Sequence, residues 1–366
     1  MYFFGFKIEV QYIKFNGKIV KMNDKKILVI CHITDSNCNG QVAKTKDTIF
    51  YLRNHGFEVD VLNYGKLNIF QKVFISKKKI KQHNKIIIMP GGKNALFFYA
   101  RLIQKYKKQN AHYLVVGGWV LSLLNEKKYF KKIELLKKFK GIYFQNKRVK
   151  DEFYKHGFTN VFDISNYSLR TRITEEELEN RLKNLCQANA FNFCYFARVE
   201  RSKGVLLACD AIKNISKEFP DCHISFDIYG EVKDASLLKE LNKISESHSF
   251  IKYRGVLTGD DVILKLSHYF CMLFPTFYKG EGTPHTIIES FMAGLPVIAS
   301  NWAYNSEIVS DKKTGIIFNF ENNGLYEAIK FVLLNKDFII TMSKNCYLES
   351  LRYSIDKSLG VLIKNL

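Results

Sequence analysis

Short apolar runs alternate with amphipathic helical patterns along almost the whole chain of 366 residues. Apolar runs that are followed by helical stretches are typical of parallel strands buried on both faces. The strands predicted in the first series are 26–33, 58–62, 85–89, 113–116, 141–145 and 160–164, and the helices include 42–55, 94–107, 127–139 and 149–156. The predicted fold class is α/β, with doubly wound parallel sheets.

A second series begins after a break at residues 171–190, which carry the acidic cluster Glu175-Glu176-Glu177 and one helix. Its predicted strands are 193–196, 223–229, 250–253, 270–274, 296–299 and 315–318. We therefore predict two Rossmann-like domains, 22–170 and 190–343, facing each other across a cleft. In such domains a ligand lies at the carboxyl ends of the strands.

The first 21 residues differ from the rest, because apolar and polar residues alternate there around Asn16-Gly17, which is a hairpin signal. We interpret residues 1–21 as a separate N-terminal extension. Two explanations stay open: a short β-hairpin, or a start-codon artefact upstream of Met22.

The formal net charge is +21, and only ten of the 56 basic residues are arginine. The lysine excess has two explanations that the sequence leaves open: an AT-rich genome, or selection for an anionic partner such as membrane lipid, a phosphorylated acceptor or nucleic acid. The eight cysteines form no C-x-x-C pair and show no zinc-ligand spacing with histidine, which indicates free thiols in a reducing cytosol. No stretch has the length and hydropathy of a transmembrane helix.

The segment from Glu281 to Glu289 places two carboxylates eight positions apart across the predicted start of a helix. Thr283 is the expected N-cap and Pro284 the expected first helical residue, and Gly294 is a stop signal. A helix N-terminus favours an anion, whereas the flanking carboxylates suit hydroxyl groups. The pattern therefore indicates a ligand with a central diphosphate and hydroxyl-rich ends, as in a nucleotide sugar.

This segment, with its continuation AGLPVIAS, resembles the E-x7-E motif of retaining glycosyltransferases of the GT-B fold, specifically family GT4. The resemblance covers most of the chain from about Lys26 and is strongest over 193–318. It implies that Glu289 holds the nucleotide ribose and Glu281 the hydroxyls of the transferred sugar, while the backbone N–H groups of Gly282 and Thr283 face the phosphates. It also implies that residues 344–366 form a C-terminal helix returning to the first domain.

Arg198 and Lys203 lie on the loop that follows the predicted strand 193–196, and Gly204 opens the next helix. Two cations five positions apart can hold a diphosphate from two sides and offset the charge on a departing nucleoside diphosphate. The loop resembles the family's G-R-x-x-x-x-K-G element, with Ala197 where glycine is common. With Glu281, these cations are our candidate catalytic residues; a solvated basic loop is the structural alternative.

Further donor-binding residues are expected at two other strand ends. Gly230 resembles the strand-end glycine near the phosphates, and Arg254-Gly255-Val256 resembles the loop that contacts the base. Glu307 matches a common family glutamate, although the residues before it depart from the usual glycine-rich stretch.

In the first domain, Gly40 follows the first strand, and Gly117-Gly118 follows a strand end that is expected to face the cleft. These glycines are predicted to shape the acceptor side, with ordinary strand-to-helix turns as the alternative. Many relatives carry a sugar-contacting histidine near Gly117; here we assign no catalytic histidine. No D-x-D sequence occurs, so we expect no metal and no cofactor, the nucleotide sugar being a substrate.

Residues 127–140 contain seven lysines and apolar residues at helical spacing. Two interpretations are open: an amphipathic helix on an anionic leaflet, or a core-packed helix with a solvated lysine face. Residues 77–81 add to the same basic patch.

The sequence thus predicts a retaining hexosyltransferase that uses a UDP- or GDP-sugar and a glycan or polyprenyl-linked acceptor. The setting would be bacterial surface polysaccharide assembly at the inner face of the cell membrane, without nucleic acid as a partner. The alternatives are a nucleotide-sugar epimerase of the same fold, and a non-enzymatic basic protein that binds membranes or nucleic acid.

Overall fold

The computed structural model describes residues 12–15, 18–21, 25–33, 40–187, 190–259 and 261–366. It contains two parallel sheets of six strands each, and helices cover their faces. The predicted α/β class with two doubly wound sheets is therefore confirmed.

The N-terminal extension contains two described strands, β1 (Tyr12–Phe15) and β2 (Lys18–Lys21), which pair antiparallel. The predicted turn at Asn16-Gly17 lies outside the described residues. Among the residues that the structure describes, no helix combines the length and the apolar character needed to cross a bilayer.

The first sheet is built from β3 (Lys26–Cys31), β4 (Glu58–Asn63), β5 (Lys85–Met89), β6 (Asn110–Leu114), β7 (Gly141–Phe144) and β8 (Val161–Asp163). Its strand order is β4-β3-β5-β6-β7-β8. The helices of this half are α1 (Gly40–Asn54), α2 (Ile69–Gln82), α3 (Lys93–Lys105), α4 (Ser122–Asn125), α5 (Phe130–Ile133) and α6 (Lys147–Lys155). Almost every residue of the central strands is buried, because helices cover both faces of the sheet.

The second sheet is built from β9 (Ala190–Phe196), β10 (His223–Tyr229), β11 (Ile251–Gly255), β12 (Cys271–Phe274), β13 (Val297–Ser300) and β14 (Gly315–Phe318). Its strand order is β11-β10-β9-β12-β13-β14. The remaining helices are α7 (Glu175–Gln187), α8 (Val205–Glu218), α9 (Ala235–Ser247), α10 (Val262–Ser267), α11 (His285–Met292), α12 (Asn305–Ile308), α13 (Gly324–Leu334), α14 (Lys336–Ser350) and α15 (Ile355–Asn365).

The two C-terminal helices pack on different sheets. Met342 and Cys346 of α14 lie in the two cores of the second sheet. Leu359 and Leu362 of α15 lie in a core of the first sheet, together with Ile27 of β3. The chain end therefore joins the two halves of the molecule through its own apolar burial.

The prediction of one amphipathic helix over 127–139 was wrong. The structure has a 3-10 turn at Lys127–Tyr129, the short helix α5, and a second 3-10 turn at Glu134–Lys138. Ile133, Leu136 and Phe139 are buried in the core of the first sheet, so they present no apolar face to a membrane. The basic stretch 77–81 belongs to helix α2, which we did not predict.

A buried arginine ties three parts of the second half together. The Arg181 side chain on α7 donates to the carbonyl of Gly294 and to Ser343 Oγ of α14, each at 3.0 Å. It also donates to the carbonyls of Ser267 and Tyr269, at and after the end of α10. Burial lowers the pKa of this guanidinium to about 10. The charge of Arg181 is thus stabilised mainly by the carbonyl dipoles of these turns.

We predict that Arg181→Met destabilises the protein by about 3 kcal/mol or more, because several buried carbonyls would lose their donor. Denaturant unfolding measures this change. Arg352→Met is the matched control: Arg352 is exposed and pairs with Glu349 three positions away, so the expected loss is below about 0.5 kcal/mol. Equal stability of the Arg181 variant and wild type would contradict this account.

Candidate functional site

A cavity of about 810 Å³ lies between the two sheets and is lined by residues of both halves. Strand ends of both sheets contribute to it, as expected for doubly wound domains. It brings together most of the predicted site residues, which are Gly40, Gly117, Gly118, Arg198, Lys203, Gly230, Val256, Glu281, Gly282, Thr283 and Glu289. Arg254 and Gly255 are not among the residues that line it.

Lys203 and Glu281 form a buried ion pair at this cavity. Their Nζ and Oε2 atoms are 2.5 Å apart, and the two residues are only 7% and 8% exposed. Thr276 Oγ1 donates to the same carboxylate oxygen at 2.8 Å. Since isolated buried charges are costly, this cation and this carboxylate hold each other in place until another charged group enters.

The loop between β9 and α8 is shaped by a glycine that no other residue could replace without strain. Gly204 has φ +77°, and a Cβ there would lie 2.1 Å from the carbonyl oxygen of Pro275. This close approach directs Lys203 into the cavity at the start of α8. The glycine that we predicted to open the helix therefore positions the cation.

Arg198 lies on the same loop with a different partner. Its Nη1 is 2.5 Å from Oε1 of Glu200, and its guanidinium lies 5.6 Å from the ring centre of Tyr278. The same ring lies 5.0 Å from Lys203 Nζ. The two predicted cations therefore converge on one aromatic side chain at the cavity wall.

Glu289 is 5% exposed and has two neighbours, Arg170 and His285, that the sequence analysis missed. Arg170 Nε lies 2.7 Å from its Oε1, and His285 Nδ1 lies 3.5 Å from the same oxygen. Burial acts to raise the pKa of Glu289, but His285 and Arg170 outweigh it, so the pKa lies below its ordinary value. This carboxylate is therefore ionised and available to accept hydrogen bonds.

The start of α11 differs from the prediction. The helix begins at His285, Pro284 is its N-cap residue, and no side chain caps it. Thr283 Oγ1 instead donates to the carbonyl of Gln145 at 3.3 Å, and Asn166 Nδ2 donates to the carbonyl of Thr283 at 3.0 Å. The predicted N-cap was wrong because contacts with the first half hold this threonine outside the helix.

Gly118 explains how closely the two halves approach. A Cβ on Gly118 would lie 2.5 Å from the carbonyl oxygen of Glu281, and one on Gly282 would lie 3.2 Å from the amide nitrogen of Gly118. These two glycines let backbone meet backbone across the cavity. The glycine pair that we predicted on the acceptor side thus contacts the segment that carries both predicted carboxylates.

Gly230 and the residues after β11 line one side of the cavity. Gly230 has φ +148°, and a Cβ there would lie 1.8 Å from the carbonyl oxygen of Ala197. Its N–H donates to the carbonyl of Gly255 at 2.8 Å. The Arg254 side chain turns to Asp227, with Nε 2.8 Å from Oδ1, which fixes this arginine to β10 outside the cavity lining.

Helix α1 brings two further charged residues to the cavity, Lys44 and Asp47. Lys44 is buried and lies 4.9 Å from the ring centre of Tyr167; burial lowers its pKa well below the ordinary value, although Asp47 opposes this shift. Burial raises the pKa of Asp47, against the opposing effects of His285 and Lys44. Lys44 and Asp47 lie three positions apart on the helix that starts at Gly40, so they share one side of it. The sequence analysis did not use this spacing.

Glu307, His112 and His32 do not line the cavity. Glu307 Oε2 accepts from Asn146 Nδ2 at 2.9 Å, which makes it another contact between the two halves. His112 is buried against Tyr143 and Asn110, and burial lowers its pKa to about 3. His32 lies near Tyr64, with 5.5 Å between the ring centres.

The second half of this chain matches a family of known proteins. Residues 190–335 match the family model described as Glycosyl transferases group 1. The UDP-Gal:alpha-D-GlcNAc-diphosphoundecaprenol alpha-1,3-galactosyltransferase of Escherichia coli is 30% identical over 182 residues, which is 48% of this chain and 44% of that protein. An uncharacterised 41.2 kDa protein from the cps region of Klebsiella pneumoniae is 28% identical over 155 residues, 40% of this chain and 39% of that one. The chain thus spans less than half the length of these relatives.

Solved structures extend the likeness in fold to both halves. The HepE protein of Anabaena in complex with UDP superposes with a TM-score of 0.70 at 16% identity, covering 93% of this chain and all of the other. Together with the two parallel sheets and the cleft between them, these matches identify the fold. The chain has the GT-B fold, and its residues 190–335 match the family of group 1 glycosyltransferases.

Proposed function

We propose that this protein is a retaining glycosyltransferase that moves a hexose from a UDP- or GDP-sugar to a glycan or lipid-linked acceptor. The observation that carries the proposal is the convergence of Lys203, Arg198, Glu281 and Glu289 on one cavity between the two domains. The family match of residues 190–335 supports the same activity.

Donor binding would exchange the partners of the charged groups. A diphosphate brings negative charge that Lys203 and Arg198 can hold in place of Glu281 and Glu200. Glu289, ionised and buried, would accept hydrogen bonds from the ribose hydroxyls once Arg170 turns toward the phosphates. His285 Nε2, a buried atom that has no hydrogen-bond partner among the described residues, would then contact the sugar nucleotide.

The released Glu281 carboxylate would hold the hydroxyls of the transferred sugar next to the phosphates. Lys203 and Arg198 would offset the charge that develops on the leaving nucleoside diphosphate, which lowers the barrier electrostatically. Retention fits attack by the acceptor on the face that the phosphate leaves, with a phosphate oxygen taking the acceptor proton. Closure of the cavity between the domains would exclude water.

We propose that these side chains make a metal or cofactor unnecessary. The described residues contain no group of three or more His, Cys, Asp or Glu able to hold a metal ion. The side-chain cations of the β9–α8 loop and the backbone N–H groups of Gly282 and Thr283 would serve the diphosphate instead.

The relatives support a proposal for the acceptor and the setting. The Escherichia coli galactosyltransferase acts on a diphosphoundecaprenol-linked sugar by its name, and the Klebsiella protein comes from a cps region. We propose a polyprenyl-linked or glycan acceptor in surface polysaccharide assembly, capsule, O-antigen or lipooligosaccharide, at the inner face of the cell membrane. Lys44 and Asp47 of α1 would contact the acceptor, since they line the cavity from the first domain.

We predict that UDP or GDP, but not both equally, raises the unfolding temperature of the protein, and that Glu289→Gln loses most of this shift. The expected reason is selective binding of a nucleotide to the folded state. Differential scanning fluorimetry measures the shift, with Glu327→Gln on the exposed surface of α13 as the control.

Two results would contradict the assignment. No nucleotide shift together with a salt-sensitive shift by short DNA would favour the non-enzymatic interpretation. Release of an epimerised sugar from the nucleotide sugar without acceptor would identify an epimerase.

We predict that Lys203→Met lowers stability by about 3–5 kcal/mol, because it leaves the Glu281 carboxylate buried without its cation. The double variant Lys203→Met/Glu281→Gln removes both charges and should recover most of that stability. Both variants should lose nearly all transferase activity. Near-normal turnover by the well-folded double variant would overturn the donor-site roles of both residues.

We predict that Gly118→Ala lowers kcat about 10- to 100-fold while the nucleotide-induced shift in unfolding temperature persists. The added methyl group forces the two domains apart at Glu281, and small displacements at a reacting centre are costly. Gly360→Ala is the control, because no other group lies within 4 Å of the position that its methyl group would take. Full activity of Gly118→Ala would show that the observed approach of the domains is not needed for the reaction.

A further inference from the structure

Helix α2 exposes three large apolar side chains at the surface of the first domain. Ile69 is 73% exposed, Phe70 is 84% exposed and Phe74 is 74% exposed. Scattered apolar residues are normal on a protein surface, whereas three large ones within two turns form a patch that indicates a partner. The patch lies outside the cavity between the domains.

The helix is held firmly on the side away from Phe70 and Phe74. Ser76 and Ile80 are fully buried against the first sheet, and Lys79 Nζ lies 2.5 Å from Asp60 of β4. A capping box between Asn68 and Gln71 fixes the first turn. The exposed side chains are therefore presented by an ordered element with a buried face of its own.

Lysines continue the same face toward the end of the helix. Phe70, Phe74, Lys78 and Lys81 follow each other at spacings of three and four residues, so they lie on one side of α2. Residues 64–84 contain six lysines and no aspartate or glutamate. Lys108, from the segment after α3, adds a further cation by donating to the carbonyl of Lys81 at 3.0 Å.

The apolar end of α2 lies on the cavity side of the first domain. The helix follows β4 after a single 3-10 turn, Tyr64–Lys66, so its first turn lies near the carboxyl edge of the sheet. The cavity opens at that same edge, beyond Gly40 and Gly117. The lysine end of the helix points toward the opposite edge of the sheet.

We propose that the α2 face, defined by Phe70, Phe74, Lys77, Lys78 and Lys81, docks on an anionic lipid bilayer, with Ile69 beside it at the exposed start of the helix. The aromatic and aliphatic side chains would enter the boundary between headgroups and acyl chains, and the lysines would contact anionic headgroups. This proposal replaces residues 127–140 as the membrane-contacting segment. It does not depend on the donor or on the reaction.

A bilayer fits this face better than a second copy of the chain does. Pairing two copies through α2 would bring two sets of lysines together with no acidic residue of 64–84 to balance them. Anionic headgroups supply the missing negative charge while the acyl region covers the phenylalanines. A bilayer therefore both neutralises the lysines and covers the apolar side chains.

The proposal is tested by flotation of the whole protein with vesicles of phosphatidylcholine alone and of phosphatidylcholine with phosphatidylglycerol. We expect binding to the anionic vesicles that weakens with salt. Phe70→Ser/Phe74→Ser should lower the partition coefficient about tenfold or more, because two large apolar side chains no longer enter the bilayer. Lys77→Gln/Lys78→Gln/Lys81→Gln should lower it by a similar factor and remove the salt dependence.

Two matched variants separate this face from other surfaces. Leu334→Ser/Leu348→Ser removes two exposed leucines of the second half and should leave binding unchanged. The variant with Lys131, Lys132, Lys137 and Lys138 changed to glutamine should reduce binding by less than the α2 lysine variant. If this second variant reduced binding more than the α2 lysine variant did, residues 127–140 would be the membrane contact and the proposal would be overturned.

Two further outcomes would also overturn it. One is undiminished vesicle binding by Phe70→Ser/Phe74→Ser. The other is a lipid-free dimer, seen by light scattering, that the same substitutions convert to monomer. The nucleotide-induced shift in unfolding temperature should be identical in wild type and all α2 variants, so failure of the membrane proposal is distinguishable from failure of the proposed activity.

Discussion

The structure of the cleft depends on the compensation of buried charge. Lys203 and Glu281 are both nearly inaccessible to water, and each has the other as its counterion at 2.5 Å. Glu289 is likewise buried and has Arg170 as its counterion at 2.7 Å. Because an uncompensated charge in such a place is costly, the segment 281–289 must stay against the β9–α8 loop and the interdomain segment until a ligand supplies other charges. The cleft is therefore electrostatically suited to a molecule that combines phosphates with hydroxyl groups.

Much of the fold was accessible from the sequence because parallel strands buried on both faces are short, apolar and bounded by turn residues. The strands 85–89, 223–229 and 315–318 were predicted with the bounds that the structure has. Helical periodicity was less reliable. Residues 127–139 have apolar residues at helical spacing, yet 3-10 turns place the same residues in the core. Helix α2 was missed since its phenylalanines face outward, so the usual relation between apolar spacing and burial does not hold there.

The candidate site was predictable where its residues lie on local motifs and not where they come from distant loops. Arg198, Lys203, Glu281 and Glu289 were found from spacing, turn chemistry and resemblance. Arg170 and Asn166 were not, because nothing in their local sequence shows that the segment between the domains folds back onto α11. The N-cap prediction for Thr283 failed for the same reason, because its hydroxyl donates to the carbonyl of Gln145 in the first domain. His285 was also missed, although it lies four positions before Glu289 on the same helix.

The proposed membrane face and the cleft are linked by the direction of the first sheet. In a parallel sheet every strand ends at the same edge, so the loops that line the cavity and the first turn of α2 share one side of the domain. A bilayer that receives Phe70 and Phe74 would therefore lie beside the cavity mouth. An acceptor whose lipid remains in that bilayer needs only to bring its headgroup sugar past α2 to reach Lys44 and Asp47. The proposed membrane face and the proposed lipid-linked acceptor are therefore compatible in geometry.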